Sequence, residues 1–238
     1  MIKKALEYLM ETMSPVKMEK IDGETFADRP MHRVKYNPKA KTIELNTLTS
    51  LVDYIVSEFD THDKLFVHVV SPILVEVFSV LDGDRSRETL LTVNALVPHF
   101  NFGQFIDHEA FCIGLQSKFL DADDRALLLK FAGTVEAGSV AEYGDDGVTQ
   151  KATVKTGIAS KGDAVVPNPV NLRAYRTFLE VTQPKAQYVF RMKQGNMGAV
   201  QCALFEADGG AWQIAAKENI KAYLVGELES YDDIVVIS

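Results

Sequence analysis

Within the run from Asn171 to Leu224, an alternation of side chains constrains the fold more than any other feature. Tyr188, Phe190 and Met192 alternate with Gln187, Arg191 and Lys193, and Val200, Cys202 and Leu204 alternate with Gln201 and Ala203. A period of two with one apolar face marks a half-buried strand, because successive side chains leave opposite faces. Gly195-Asn196-Met197-Gly198 lies between the two runs and is rich in residues that tolerate positive φ. The pair reads as a β-hairpin that lays one face on a core. Arg176 to Val181 is expected to add a third strand, ended by Pro184, which has no N–H to give a central ladder.

Asp208-Gly209-Gly210 breaks the strand pattern, and behind it Trp212, Ala216, Ile220, Tyr223 and Leu224 fall near helical spacing. The expected helix runs from about Ala215 to Val225 with Gly226 as its stop, and its apolar stripe covers one face of the sheet. Ile234 to Ile237 reads as a short final strand.

The first hundred residues read as helix, strand, helix and strand meander. Ile2, Leu6, Leu9, Met10 and Met13 line one face of a first helix that Ser14-Pro15 ends. Glu19 to Lys41 is polar and turn-rich, with Pro30, Pro38 and the basic group His32-Arg33-Val34-Lys35, and is expected to be an extended arm or solvated loop. Thr42 to Leu45 predicts a strand. Leu48, Leu51, Val52, Ile55 and Phe59 predict a helix capped by Asn46 or Thr47. Leu65 to Val70, Ile73 to Leu81 and Thr89 to Leu96 predict three strands, separated by Ser71-Pro72 and by the turn Asp82-Gly83-Asp84.

Phe102 to Leu120 reads as mainly helical, with Gly114 as a weak point. Asp121 is expected to cap a second helix, Ala122 to Phe131, with Asp123 and Asp124 in its first turn and Gly133 at its end. Thr134 to Thr156, rich in Thr, Val, Gly and Glu, predicts a long β-hairpin around Gly144-Asp145-Asp146-Gly147. Its apolar content is modest, so a partner on another subunit and plain exposure to solvent are both open. Gly157 to Asn171, with Gly162 and Pro167-Asn168-Pro169, reads as a loop. No internal repeat or low-complexity tract occurs.

Composition narrows the function classes. With 238 residues, 47% of them hydrophobic, the chain can bury a sizeable core. Its net charge of -8 argues against a protein built to coat a nucleic-acid backbone, although a local basic groove stays compatible with it. Cys112 and Cys202 lie far apart and form no CxxC, so each is expected to be a small apolar residue in a reducing compartment. The N-terminal apolar segment contains Glu7 and Glu11 and lacks a signal-peptide core, and no window approaches a membrane span. A soluble, cytoplasmic protein is expected.

Motifs of chemistry fail on their geometry. Gly157-Ile158-Ala159-Ser160-Lys161-Gly162-Asp163 has an acid where a phosphate loop needs Lys and Ser or Thr. His108-Glu109 lacks the second histidine four residues on, and His32, His62, His68 and His99 show no ligand spacing either. Asp82-Gly83-Asp84 and Asp121-Ala122-Asp123-Asp124 lack the glycine and bidentate glutamate of a calcium loop. No GxSxG elbow occurs, and pairs such as Glu206 and Asp208 are what any acidic chain supplies. Arg173, Tyr175, Arg176, Phe178, Phe190 and Arg191 interleave cations with aromatic rings, a combination used by single-strand binders.

Five segments carry a family resemblance: FNFGQFIDHEAF (Phe100 to Phe111), GVTQKATVKTGI (Gly147 to Ile158), PNPVNLRAYRTFLEV (Pro167 to Val181), YVFRM (Tyr188 to Met192) and ALFEADGGAW (Ala203 to Trp212). In their order and pattern they resemble the YfdQ-like family of phage and prophage proteins, and the likeness extends in part to Thr42 to Phe59. The resemblance implies a phage-encoded, intracellular accessory protein. It carries over no catalytic residue, and residues 1–41 fit it poorly.

The expected fold is α+β, predominantly antiparallel sheet with helices packed on one face and a long projecting β-hairpin. Residues 1–41 form an N-terminal helix and arm, and residues 42–238 the core, with the hairpin at 134–156. No catalytic residue, cofactor or metal ligand is assigned. The leading expectation is a non-enzymatic phage protein that works in the bacterial cytoplasm. It self-assembles into a homo-oligomeric ring or shell, or binds a phage or host protein. The alternative is a nucleic-acid or nucleotide-binding module in replication, recombination or anti-defence, with Arg173, Arg176 and Arg191 as contacts. A third reading is an enzyme that combines dispersed acids with a metal.

Overall fold

A computed structural model describes residues 2–21, 24–28, 39–58, 60, 64–83, 85–134, 142–143, 150–155, 161–195 and 199–238. The chain divides into two compact units, Met1–Lys39 and Ala40–Ser238.

The first unit holds helix α1 (Ile2–Met13) and strands β1 (Met18–Ile21) and β2 (Glu24–Ala27). The two strands pair antiparallel, with Met18 opposite Ala27 and Ile21 opposite Glu24. This hairpin stands where the polar composition predicts only an arm or loop. The basic group at 32–35 lies outside the described residues.

The second unit begins with β3 (Ile43–Leu45) and α2 (Leu48–Val56), followed by the meander β4 (Leu65–Ser71), β5 (Leu74–Ser79) and β6 (Thr89–Asn94). Thr47 caps α2 by accepting from the Ser50 amide at 3.2 Å, and the distant Glu180 carboxylate accepts from the Leu48 amide at 2.8 Å. Both satisfy donors that the first turn leaves unpaired. Next come β7 (Ile106–Asp107), α3 (His108–Lys118), α4 (Arg125–Thr134), β8 (Glu142–Tyr143), β9 (Gln150–Lys155), β10 (Lys161–Val165), β11 (Val170–Leu172), β12 (Ala186–Gln194), β13 (Val200–Glu206), α5 (Ala211–Glu227) and β14 (Ile234–Ile237).

Two larger sheets organise this unit. The first has the order β14-β4-β5-β6-β3, with β14 parallel to β4 and β3 parallel to β6; the second, β11-β12-β13-β7, is antiparallel throughout. Val67, Val69, Val75, Val77, Leu91 and Val93 face α2 and the residues Ile220 and Leu224 of α5. In the second sheet, Tyr188, Phe190, Met192, Cys202 and Leu204 face Phe111 and Leu115 of α3 and Leu128 of α4. The fold is therefore α+β and mainly antiparallel, with helices on one face of each larger sheet. Strands β8, β9 and β10 form a further three-stranded antiparallel sheet.

Several boundaries depart from the sequence pattern for local reasons. Residues 102–105 are not helical, because Gly103 is left-handed (φ +73°) and its amide is taken by the Leu204 carbonyl at 2.8 Å. The helix starts only after Asp107, whose carboxylate caps the Glu109 amide at 2.9 Å. Helix α4 begins at Arg125 instead of Ala122, since Asp123 is itself left-handed (φ +52°). Helix α5 starts a turn early, because Asp208 accepts from the Gly210 and Trp212 amides, and it passes through Gly226. Its stripe packs mainly on the first sheet, while Trp212 packs against the core of the second. The expected strand at 176–181 is absent, and Val170–Leu172 takes the edge of the second sheet. The expected loop at 157–171 includes strand β10, which pairs with β9. Of the expected hairpin at 134–156, Glu142 pairs with Lys151 and Tyr143 with Gln150, while its turn at 144–147 lies outside the described residues.

Candidate functional site

The segment that fails to become a strand is held by one side chain. Gln183, 4% exposed, accepts from the Arg176 amide at 3.0 Å and donates to the Phe178 carbonyl at 2.9 Å. It thereby replaces the backbone partners that a strand would have found. The Thr177 hydroxyl reaches the Pro72 carbonyl, and Phe178 and Val181 enter the core of the first sheet. This crossover fastens the two larger sheets to each other.

Arg176 is central to it. Its guanidinium lies 3.9 Å from the centre of the Trp212 ring, 5.0 Å from Phe102 and 5.4 Å from Tyr188. One terminal nitrogen donates to the Glu206 carboxylate and the other to the Tyr188 hydroxyl. Burial pushes the Tyr188 phenol well above its ordinary range; the Arg176 charge works against that shift, and Glu206 and Asp208 add to it. A planar cation sandwiched by rings and paired with a carboxylate is a strong, geometrically specific lock. At 8% exposure, Arg176 has its groups turned into the protein.

The three sequence-predicted contact residues do not share a surface. Arg173 donates to Asp123 at 2.9 Å and to the Gln183 carbonyl at 3.2 Å, while Lys185 approaches the same aspartate at 3.5 Å. Arg191 alternates with Tyr188 and Phe190 along β12 and so leaves the opposite face of the sheet from the Arg176 lock.

That outer face carries residues that sequence reasoning did not select. Register places Gln187, Val189, Arg191 and Lys193 of β12 beside Gln201, Ala203 and Phe205 of β13, with Asp107 of β7 next to Gln201. Phe105 and Phe205 meet at 6.0 Å between ring centres with planes at 68°, and the Lys193 ammonium lies 4.3 Å from the Phe105 ring centre. A groove of about 380 Å³ continues this face toward the hairpin end, lined by Asp107, Lys193, Gln194, Gly195, Ala199 and Gln201. Neither phenylalanine belongs to the core, which lies on the other face. Phe105 escaped notice because residues 102–107 read as helix, which hides their alternation.

A second cleft, of about 430 Å³, opens at the end of the first sheet, where Glu58, Asp60, Asp232 and Asp233 share the lining with Lys64. Lys64 approaches Asp233 at 3.8 Å, and Asp60 accepts from the Tyr54 hydroxyl at 2.6 Å. Among the described residues, no group of three or more His, Cys, Asp or Glu converges as metal ligands would, and no helix is long and apolar enough to cross a membrane.

The first unit presents a surface of another kind. Ile2, Leu6, Leu9, Met10 and Met13 of α1 are all more than half exposed, as are Met18, Ile21 and Phe26 of the hairpin. None of its described side chains is buried.

Comparison with protein-family models, with curated proteins and with solved structures finds no match for this chain.

Proposed function

We propose that this chain is a non-enzymatic accessory protein that works as a homo-oligomer, its copies joined through their N-terminal units. One observation carries the reading: the first unit has secondary structure but no buried side chain among its described residues. A 12-residue helix is marginal in water by itself, and so is a two-stranded hairpin. Both gain stability by burying an apolar face, and α1 offers one at i, i+4, i+7, i+8 and i+11 from Ile2.

A second copy of α1 is the occupant that the apolar stripe favours, since it offers a face of the same length and chemistry. Lys3 and Lys4 stand at the start of the helix, with Glu7 beyond them. Antiparallel pairing keeps the lysine-bearing starts of two copies at opposite ends, away from each other, and the two apolar stripes close on each other. The resemblance to YfdQ-like phage proteins supports an accessory role in the bacterial cytoplasm, and a phage or host protein could take the second copy's place.

Light scattering on a sizing column tests the reading. The full chain is expected to elute with the mass of two or more chains, and Leu6→Glu with Leu9→Glu to elute with the mass of fewer. A monomeric full chain at about 50 μM, well above the concentrations at which micromolar contacts form, would remove the proposal.

A further inference from the structure

The outer face of the second sheet brings two features together. It has a pair of aromatic rings outside the core, and it has cations that meet no carboxylate among the described residues. Arg125, Arg173 and Arg176 each meet a carboxylate, at Asp121, Asp123 and Glu206. Among the described residues Arg191 pairs with none and donates only to the Phe190 carbonyl, at 3.3 Å. Lys193 also meets no carboxylate there, and its ammonium rests on the Phe105 ring. In a chain with a net charge of -8, these two positive charges two residues apart on one strand face stand out.

We propose that this face binds single-stranded nucleic acid. Phe205 offers a ring on which an unpaired base stacks, and Phe105, set at 68° to it, forms a wall beside that base. Arg191 and Lys193 neutralise phosphates of the same strand, while the exposed Gln187 amide presents a donor and an acceptor to a base edge. An open antiparallel sheet suits this task, because its alternation places rings and cations on one side without disturbing the core on the other. Duplex DNA is a poor fit, since its bases expose no ring face. The proposal does not depend on self-association of the N-terminal units.

Fluorescence anisotropy with the full chain and labelled oligothymidylate and oligouridylate tests it. Binding is expected in the range of about 1–100 μM at about 50 mM salt and should weaken steeply as salt rises. Phe205→Ala should weaken it at least ~5-fold, and Phe205→Trp should keep it, because stacking on one ring contributes on that scale. Lys193→Gln alters an exposed side chain and leaves the fold intact. It should lower the slope of log affinity against log salt by about 0.7. Circular dichroism of Phe205→Ala separates lost binding from lost structure. No binding at low salt, equal binding of duplex and single strand, or full affinity in both Phe205→Ala and Lys193→Gln would each overturn the assignment.

Discussion

At the scale of single residues, Arg176 shows how a side chain legible as a surface cation becomes part of the interior. Its sequence setting, next to Tyr175 and Phe178, is equally that of a ligand contact and of a buried lock, because both use aromatic faces and a carboxylate. What decides is the position of Trp212 and Glu206, which come from other elements. Arg176→Met is expected to destabilise the protein by about 1–2 kcal/mol, since it leaves the buried Tyr188 hydroxyl without its donor, while the exposed Glu206 carboxylate keeps water as a partner. Trp212 is the sole tryptophan and lies against the guanidinium, so its emission maximum should shift in the folded variant, and urea titration of that emission gives the stability. Cys202 offers a test in pH. Burial pushes its thiol up to about 12 from an ordinary 9.0, with Cys112 and Asp107 adding to the rise. The unfolded chain therefore releases this proton first, and the stability tied to it is whole below pH 9 and lost as pH climbs toward 12. Cys202→Ala should be less stable at pH 7 by about 1 kcal/mol yet lose less between pH 8.5 and 10.5, as measured by urea unfolding at each pH.

At the scale of elements, strands declare themselves by alternation and helices by stripe, but their ends are set by single contacts. The β12–β13 hairpin and the β4–β5–β6 meander stand close to where alternation puts them. Helices α3, α4 and α5 begin where Asp107, Asp123 and Asp208 act, and propensity patterns do not resolve such caps and left-handed residues. The strand expected at 176–181 failed because Gln183 satisfies that backbone from a few residues away, a side-chain choice that alternation of apolar and polar residues does not display. Two helical glycines separate propensity from packing. At Gly226, exposed in α5, an added Cβ meets nothing within 4 Å, so Gly226→Ala should stabilise by about 0.5–1 kcal/mol. At Gly114 in α3 the same atom would lie 3.0 Å from Phe100, whose ring is packed by Phe102 and Phe119 at 4.9 and 5.0 Å. Gly114→Ala should therefore destabilise by about 1–2 kcal/mol in spite of better helix propensity. Thermal unfolding of the two variants side by side should show midpoints moved in opposite directions.

At the scale of the whole molecule, the α+β class was legible because strand and helix patterns interleave along the chain. The division of strands into separate sheets was not, since pairing partners such as β14 and β4 lie far apart in sequence. The candidate surfaces were legible only in part. Arg191 stands on the face that the alternation of β12 predicts, but its companions Phe105 and Phe205 come from β13 and the approach to β7. Because the second unit holds both large cores, residues 40–238 without the first unit are expected to unfold within a few degrees of the full chain, by calorimetry. A fall of more than about 10 °C would mean that the first unit is part of the fold's stability. The pairing of β14 with β4 also fixes when folding can finish. Leu65 and Val67 leave the ribosome long before Ile234 and Val236, the strand that closes their edge, and before Ile220 and Leu224, which fill their core. During synthesis the meander must wait with one edge bare and its apolar side covered only in part, by α2, a template for stray strands. A nascent chain stalled before residue 220 should therefore depend on holding chaperones, and one stalled behind an added C-terminal linker that carries residue 237 clear of the ribosome should not.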